Sequence, residues 1–481
     1  MLKGLPASPA FCVKDAPSSG ETPRAKGCSA LRGMFVINAV TRRYVDRCAE
    51  AESPLRNAAR KLSLPAVYSQ SFGQVLLDRP LFADRTETEE FADDLRSLFT
   101  LMTSLPARLY GGDLRAYCAA IGMDDRLAEL MCRGSVQPPV LHARADAYHD
   151  GTRFHLLELN AGSELGGTDT AQQNRAWLRV PEFAAFAEEH GLRHLDTTPR
   201  VAAALRRAAE PVTGGEPVVA LIESTGGLAA HEHVFTAVRE AMAAEGITLL
   251  LGEIHELAER NGKITLRGTP LDVILRYFVA GELLDDPTGQ QVLDTLIRAD
   301  REGRTALFLP LDSGVYASKG SLALLHDPAV RAELTEAERA TVDRAVPWTR
   351  LLDEGRQYAG DRAGLLARCR AEREELVLKP GVGYGGVGTV IGHETDDASW
   401  AEALERAAGG DAVVQRRVRP APEPVVDAVT GRTEEWAANW GVFVDGEGYA
   451  GGFVRALRPG HGAVISFSNP GTRSSCVFTA D

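Results

Sequence analysis

The stretch 376–389, LVLKPGVGYGGVGT, constrains this chain more than any other. Five glycines fall between Gly381 and Gly388, directly after Lys379 and Pro380. Gly381, Gly383 and Gly386 satisfy G-x-G-x-x-G, as do Gly383, Gly385 and Gly388. A dinucleotide-binding reading needs a strand before the loop and a helix after it. The strand ELVLKP is there, but VGTVIG follows, β-branched and apolar, which predicts a second strand. A P-loop is excluded as well, because its lysine follows the glycines and Lys379 precedes them. What remains is a glycine hairpin. Such a loop can lie over phosphates and offer several backbone N–H donors, since no Cβ blocks the approach. The loop residues Gly383, Tyr384, Gly385 and Gly386 would cover the phosphates, with the Lys379 ammonium set against their charge. The plain alternative is a surface hairpin with a solvated lysine.

The flanking pattern favours the phosphate reading. DDASWAEALERAA predicts a helix at about 396–408, and DAVVQRRVRP predicts a strand after it. This order of elements resembles the layout of an ATP-grasp nucleotide site, and that resemblance implies that Gln415 and the backbone beyond it meet the edge of the adenine base. The net charge of −13 argues against a nucleic-acid partner, which needs a basic surface, but not against a nucleotide in a local basic pocket. With 44% hydrophobic and 25% charged residues the composition is that of a globular protein. No run of 18 apolar residues predicts a membrane span, and the start has too short an apolar stretch for a signal peptide. The seven cysteines (Cys12, Cys28, Cys48, Cys118, Cys132, Cys369, Cys476) form no C-x-x-C pair. They read as reduced thiols of a cytoplasmic protein, without structural zinc.

Five regions are expected. Residues 1–33, rich in Pro, Ser, Gly, Ala and Lys, read as a disordered tail, with folded structure starting at Met34. Residues 34–135 carry helical periodicity. Residues 136–210 open with two strands, 211–330 alternate strand and helix as an α/β unit, and 331–481 hold the glycine loop. Residues 283–308 and 318–346 read as helical. The fold class is α/β (α+β).

The early strands carry a second polar set. Arg144 and Asp146 share a face of one strand, and Glu158 and Asn160 share a face of the next. Paired carboxylates of this kind can hold Mg²⁺ against phosphates, because Mg²⁺ prefers hard oxygen ligands. A strict two-residue turn at Asp150-Gly151 would place the two sets on opposite faces. A joint site therefore requires an odd-length loop, a bulge, or strands that are not register neighbours.

Taken together, these residues resemble the circularly permuted ATP-grasp ligases, including the synthetase domain of glutathionylspermidine synthetase. The likeness covers roughly residues 140–478. It rests on R-x-D and, twelve residues after the Asp, E-x-N; on Ser163 three residues past Asn160; on VYASKGSLALL with Lys319; and on GVFVDGEGYAGGFVRAL with Arg455. The resemblance implies an ATP-grasp fold in permuted order and an ADP-forming ligase. In it Asp146, Glu158 and Asn160 hold Mg²⁺, while Lys319 and Lys379 bind the phosphates of ATP. Arg144 and Arg455 steady charge on the transferred phosphate and the oxyanion, and Ser163 faces the reacting carboxylate. A small carboxylate would form an acyl phosphate, and an amine would displace phosphate to give an amide on an amino acid or small peptide. The family's amidase domain and its polyamine or thiol pocket are not recognisable, so its particular substrates are not implied.

Other features are weaker. His231-Glu232-His233 places two imidazoles apart on a helix and reads as a helix start. Glu223, ending an apolar strand, is either a substrate contact or a solvated strand end. Arg276, a charge inside an apolar strand, is either a carboxylate binder or half of a structural ion pair. Trp436 and Trp440 read as core. Two alternatives compete with the ligase: transfer to a carrier-protein thiol, which the acidic charge disfavours, and a non-catalytic nucleotide-binding scaffold, which the intact charged set disfavours.

Overall fold

The computed structural model describes residues 38–68, 76–134, 139–163, 165–352, 362–383 and 385–481. The expected tail at 1–33 and Tyr384 lie outside the described residues. Among the described residues the fold is mixed, with helices around four sheets.

Among its described residues the first stretch is helical, with one exception. Helices span Ala39–Ala49, Arg85–Tyr110, Leu114–Ala120 and Asp125–Met131. The longest starts at Asp84, whose carboxylate caps the Glu87 N–H, and stops at Gly111 in the left-handed region (φ 61°). The exception is β1, Leu81–Asp84, which pairs in parallel with the last strand of the chain. Four residues with a partner so remote carry no local strand signal, which is why helical periodicity alone misses it.

The predicted hairpin forms from β2, His142–His149, and β3, Phe154–Asn160. Its turn is longer than two residues. Asp150 N–H donates to Arg153 O (3.1 Å), and the Asp150 carboxylate accepts from the N–H groups of Thr152 and Arg153. The register then shifts between Asp146 and Ala147: Ala147 faces Leu156, but Asp146 faces Glu158. Leu157 is the extra residue. This one-residue bulge reverses the parity of β3 and lays Glu158 and Asn160 opposite Asp146 and Arg144.

Next comes a parallel sheet in the order β10-β9-β4-β5, built from β4 Val218–Glu223, β5 Thr248–Glu253, β9 Val273–Arg276 and β10 Ala306–Phe308. A small antiparallel meander, β6 Leu257–Arg260, β7 Lys263–Leu266 and β8 Thr269–Pro270, is inserted between β5 and β9. The helical reading of 283–308 needs correction at its end. The helix covers Pro287–Arg301, and 306–308 is the strand β10, an ALF run too short to show a period of two.

The glycine loop belongs to an antiparallel sheet ordered β11-β14-β12-β13: β11 Thr349–Leu351, β12 Leu376–Lys379, β13 Val390–Ile391 and β14 Val413–Arg416. The predicted helix, Asp397–Ala407, starts at the Asp396 cap and buries Trp400 against it. The remaining chain, β15 Pro422–Val426, β16 Thr433–Asp445, β17 Gly448–Leu457 and β18 Arg473–Ala480, returns to the first sheet. That seven-stranded sheet reads β1-β18-β17-β16-β2-β3, with β15 also on β16. Trp436 and Trp440 are in its core, as expected.

Candidate functional site

The residues of the early strands and of the glycine loop converge on a single cavity of about 500 Å³. Lining it are Arg144, Asp146, Glu158, Asn160, Ser163, Lys319, Lys379, Gly383, Gly385, Gly386, Gln415 and Arg455. One wall is the face of the seven-stranded sheet, which is the central sheet, and the other is the sheet that carries Lys379.

On the central sheet Asp146 is 4% exposed and lies between two cations. Arg144 Nε donates to one carboxylate oxygen (3.0 Å) and Arg455 Nη2 to the other (2.5 Å). Burial pushes the carboxyl pKa up, but the Arg455 and Arg144 charges outweigh it and hold the group well below the usual carboxylate range. Both guanidinium groups lie over the Phe453 ring, at 5.8 and 5.5 Å from its centroid. Gly441 of β16, opposite Phe453 on β17 and opposite Asp146 on β2, makes room for that ring. A Cβ there would come within 2.1 Å of it.

Glu158 is paired with Lys319 Nζ (3.0 Å). Lys319 begins the helix Lys319–Leu324, where the Ser318 side chain accepts from the Gly320 N–H. Its own N–H donates to Gly381 O (2.9 Å), which ties this lysine to the glycine loop. The loop is pinned at its start, where Val382 N–H donates to the Asp411 carboxylate (2.9 Å). A Cβ on Gly381 would sit 2.4 Å from the Asp411 carbonyl oxygen. Gly385 and Gly386 take φ of 64° and 78°, a region that favours glycine. The segment after β17 packs on this loop, with Ser468 Oγ donating to Gly385 O (3.1 Å).

Lys379 extends into the cavity and donates to Gln415 Oε1 (2.7 Å). Burial lowers its pKa to about 8, opposed by the Glu158 charge and reinforced by Lys319. The Gln415 amide is committed to Lys379, Thr349 Oγ1 and the Leu157 carbonyl, so its side chain steadies this lysine. The bulged residue thus serves both walls: it sets the parity of β3 and offers its carbonyl to Gln415 and Lys379.

Three further lining residues stand outside the sequence motifs. Tyr148 extends the Arg144–Asp146 face by one more step of two and lines the cavity, its hydroxyl pushed up to about 12 by burial. Asn439 is the cross-strand neighbour of Arg455 and also lines it, a pairing visible only once β16 and β17 are in register. Arg417, two residues past Gln415, lines it too.

The side candidates resolve differently. Glu223 is 1% exposed, which overturns the solvated strand end; its carboxylate accepts from Ser224 N–H (2.7 Å), and it does not line the cavity. Arg276 does line it, but its guanidinium donates to the carbonyls of Leu309, Phe278 and Gly162, which solvates a charge inside an apolar strand. His231 ends a short 3₁₀ turn and Glu232–Ala244 is the helix that follows. Among the described residues no group of three His, Cys, Asp or Glu is placed to hold a metal by itself. No helix among them is long and apolar enough to cross a membrane.

No protein-family model matches the sequence, and no curated protein matches it. Solved structures do. A glutathione synthetase-like effector from Globodera pallida superposes over 90% of this chain and 98% of its own, with a TM-score of 0.58 at 12% identity. The fold is glutathione-synthetase-like. A candidate gamma-glutamylcysteine synthetase from Methylobacillus flagellatus matches 83% of this chain and 89% of its own at 13% identity, with a TM-score of 0.40, too loose to add to that conclusion. Within the glutathione-synthetase-like fold, the cavity lies where the central sheet meets the sheet of the glycine loop.

Proposed function

We propose that this chain is an ATP-dependent, ADP-forming carboxylate–amine ligase of circularly permuted ATP-grasp type, working through an acyl phosphate. The observation that carries the reading is the convergence, on one cavity, of two lysines, a glycine hairpin and an Arg–Asp–Arg set that come from four separate parts of the chain. A volume of about 500 Å³ is suited to a ligand of nucleotide size.

In this reading Lys319 and Lys379 bind the phosphates and the N–H groups of the glycine hairpin cover them. Glu158 and Asp146 face each other across the strand pair, with Asn160 two residues on from Glu158. Two carboxylates and an amide on one face fit Mg²⁺, which keeps water and leans on substrate phosphates rather than on an all-protein cage. When bound, Mg²⁺ would neutralise charge on the β- and γ-phosphates. Lys319 would exchange Glu158 for phosphate, which frees Glu158 as a ligand.

Arg144 and Arg455 stand beside Asp146, fixed on Phe453, and supply positive charge where the transferred phosphoryl group and the tetrahedral oxyanion develop it. The carboxylate oxygen of the substrate attacks the γ-phosphorus, ADP leaves, and an amine then attacks the acyl carbon and expels phosphate. Ser163 lines the cavity next to Gly162, whose carbonyl is held by Arg276, and would face the reacting carboxylate. The test is nucleotide product analysis with Mg²⁺-ATP and a pool of amino acids. ADP and phosphate that depend on the pool support the reading, whereas AMP and pyrophosphate would refute it.

A further inference from the structure

Five of the seven cysteines fall among the described residues, and two of those, far from any C-x-x-C spacing, meet in space. Cys118 lies in the helix Leu114–Ala120 and Cys132 follows the helix Asp125–Met131. Their sulfurs are 3.7 Å apart. Cys118 is buried and Cys132 is partly exposed, so a small reagent can reach one and not the other.

We propose that Cys118 and Cys132 are a redox-sensitive pair that closes to a disulfide by exchange with a low-molecular-weight disulfide, and that closure loosens the adjoining cavity wall. The disulfide part stands whether or not the cavity binds ATP.

Exposure assigns the roles, since Cys132 is the reachable thiol and Cys118 the buried one, and the electrostatics agree. A hydrogen bond from Cys118 pulls the Cys132 thiol below its usual range, with burial opposing and Arg115 assisting. Cys118 is pushed up, first by that hydrogen bond and then by burial. Cys132 is therefore the attacking thiolate and Cys118 the resolving thiol. In the first step Cys132 Sγ⁻ attacks one sulfur of the reagent disulfide and expels a thiolate. In the second, Cys118 gives its proton to that thiolate and attacks Cys132 Sγ, expelling the other half as a second thiolate. Two protein thiols and one disulfide become one protein disulfide and two small thiols.

Closure must draw the sulfurs from 3.7 Å to about 2.0 Å, and the two helices also support the site. The Ile121 carbonyl, at the end of the Cys118 helix, packs so tightly on Gly320 that a Cβ there would sit 2.0 Å away. Gly320 follows Lys319. Met131, which precedes Cys132, lines the cavity and packs on Gly314, where a Cβ would meet its Cε at 3.2 Å. Moving Ile121 or Met131 therefore disturbs the segment 313–320 that delivers Lys319.

The test uses the full-length protein and hydroxyethyl disulfide at neutral pH. Tryptic mapping should find peptides 116–126 and 127–133 joined, and separate again after dithiothreitol. Cys118→Ser should stop at a stable mixed disulfide on Cys132. Wild-type protein that gives no 118–132 link, or that stops at the mixed disulfide, would overturn the proposal, and this arm needs no variant to fold. For the coupling, amides of 313–321 should exchange hydrogen faster in the oxidised protein than in the reduced one. Unchanged or slower exchange would overturn it, and that readout needs no ligand.

Discussion

The Gly441→Ala variant isolates the packing that holds the two arginines. Gly441 does not occupy the left-handed region, so alanine adds no backbone strain there, and any cost is steric. The new Cβ would approach Phe453 Cε1 at 2.1 Å, Cδ1 at 2.6 Å and Cζ at 2.8 Å. Phe453 is 0% exposed, and close-packed interiors leave little room for a ring to move. Overpacking of a full core costs about 1–3 kcal/mol. The ring is also the platform for Arg144 and Arg455, so its displacement moves both charges relative to Asp146. A misplacement on the order of 1 Å can cost about 10²-fold in rate. We therefore expect denaturant unfolding of Gly441→Ala to show a loss of about 1–3 kcal/mol, and turnover to fall about 10²-fold. A second substitution, Phe453→Leu, removes the clash and should return part of the stability, giving a coupling energy of about 0.5–3 kcal/mol in the double-mutant cycle. It should not return turnover, since the platform is gone. Additive stabilities, or a Gly441→Ala protein with wild-type stability and turnover, would refute the reasoning.

Three further outcomes follow from the site. Lys379 carries its proton below pH about 8 and loses it above, so ATP affinity measured by calorimetry should be full at pH 7 and decline as pH rises through 8. The decline should vanish in Lys379→Met, and a flat wild-type profile would contradict the assignment. Asp146→Asn leaves Arg144 and Arg455 without their shared carboxylate; turnover should drop about 10²–10³-fold, and denaturant melts should show a loss of about 3–5 kcal/mol. Gly381→Ala forces a Cβ against the Asp411 carbonyl, a backbone atom that cannot swing away, so the loop must shift. Its KM for ATP should rise while thermal unfolding changes little.

The sequence was most legible where chemistry and periodicity agreed. β-branched residues after the glycines excluded a Rossmann turn, and β13 is there. The Arg144–Asp146 and Glu158–Asn160 pairs could be read from a period of two, and even the need for a parity change was visible. Which residue provides it was not, because Leu157 is an ordinary apolar residue whose role depends on a ladder of cross-strand bonds. β1 and β10 escaped because short strands borrow their stability from neighbours distant in the chain. Glu223 escaped for a different reason: whether a charge at a strand end meets water or protein depends on the loops packed over it.

The sheet order has a consequence for biosynthesis. β2 and β3 pair with each other early, but the strand beside β2 is β16, which begins at Thr433. At about 5–20 residues per second, the ribosome takes about 14–55 seconds to travel from the end of β3 to that point. Throughout that interval one edge of the nascent hairpin has no strand to bond, and its paired arginine and aspartate lack Arg455. β1 waits longer still, for β18. Nascent chains stalled before and after residue 445 should therefore differ sharply in protease resistance, with the early ones bound by chaperones that recognise unpaired strands.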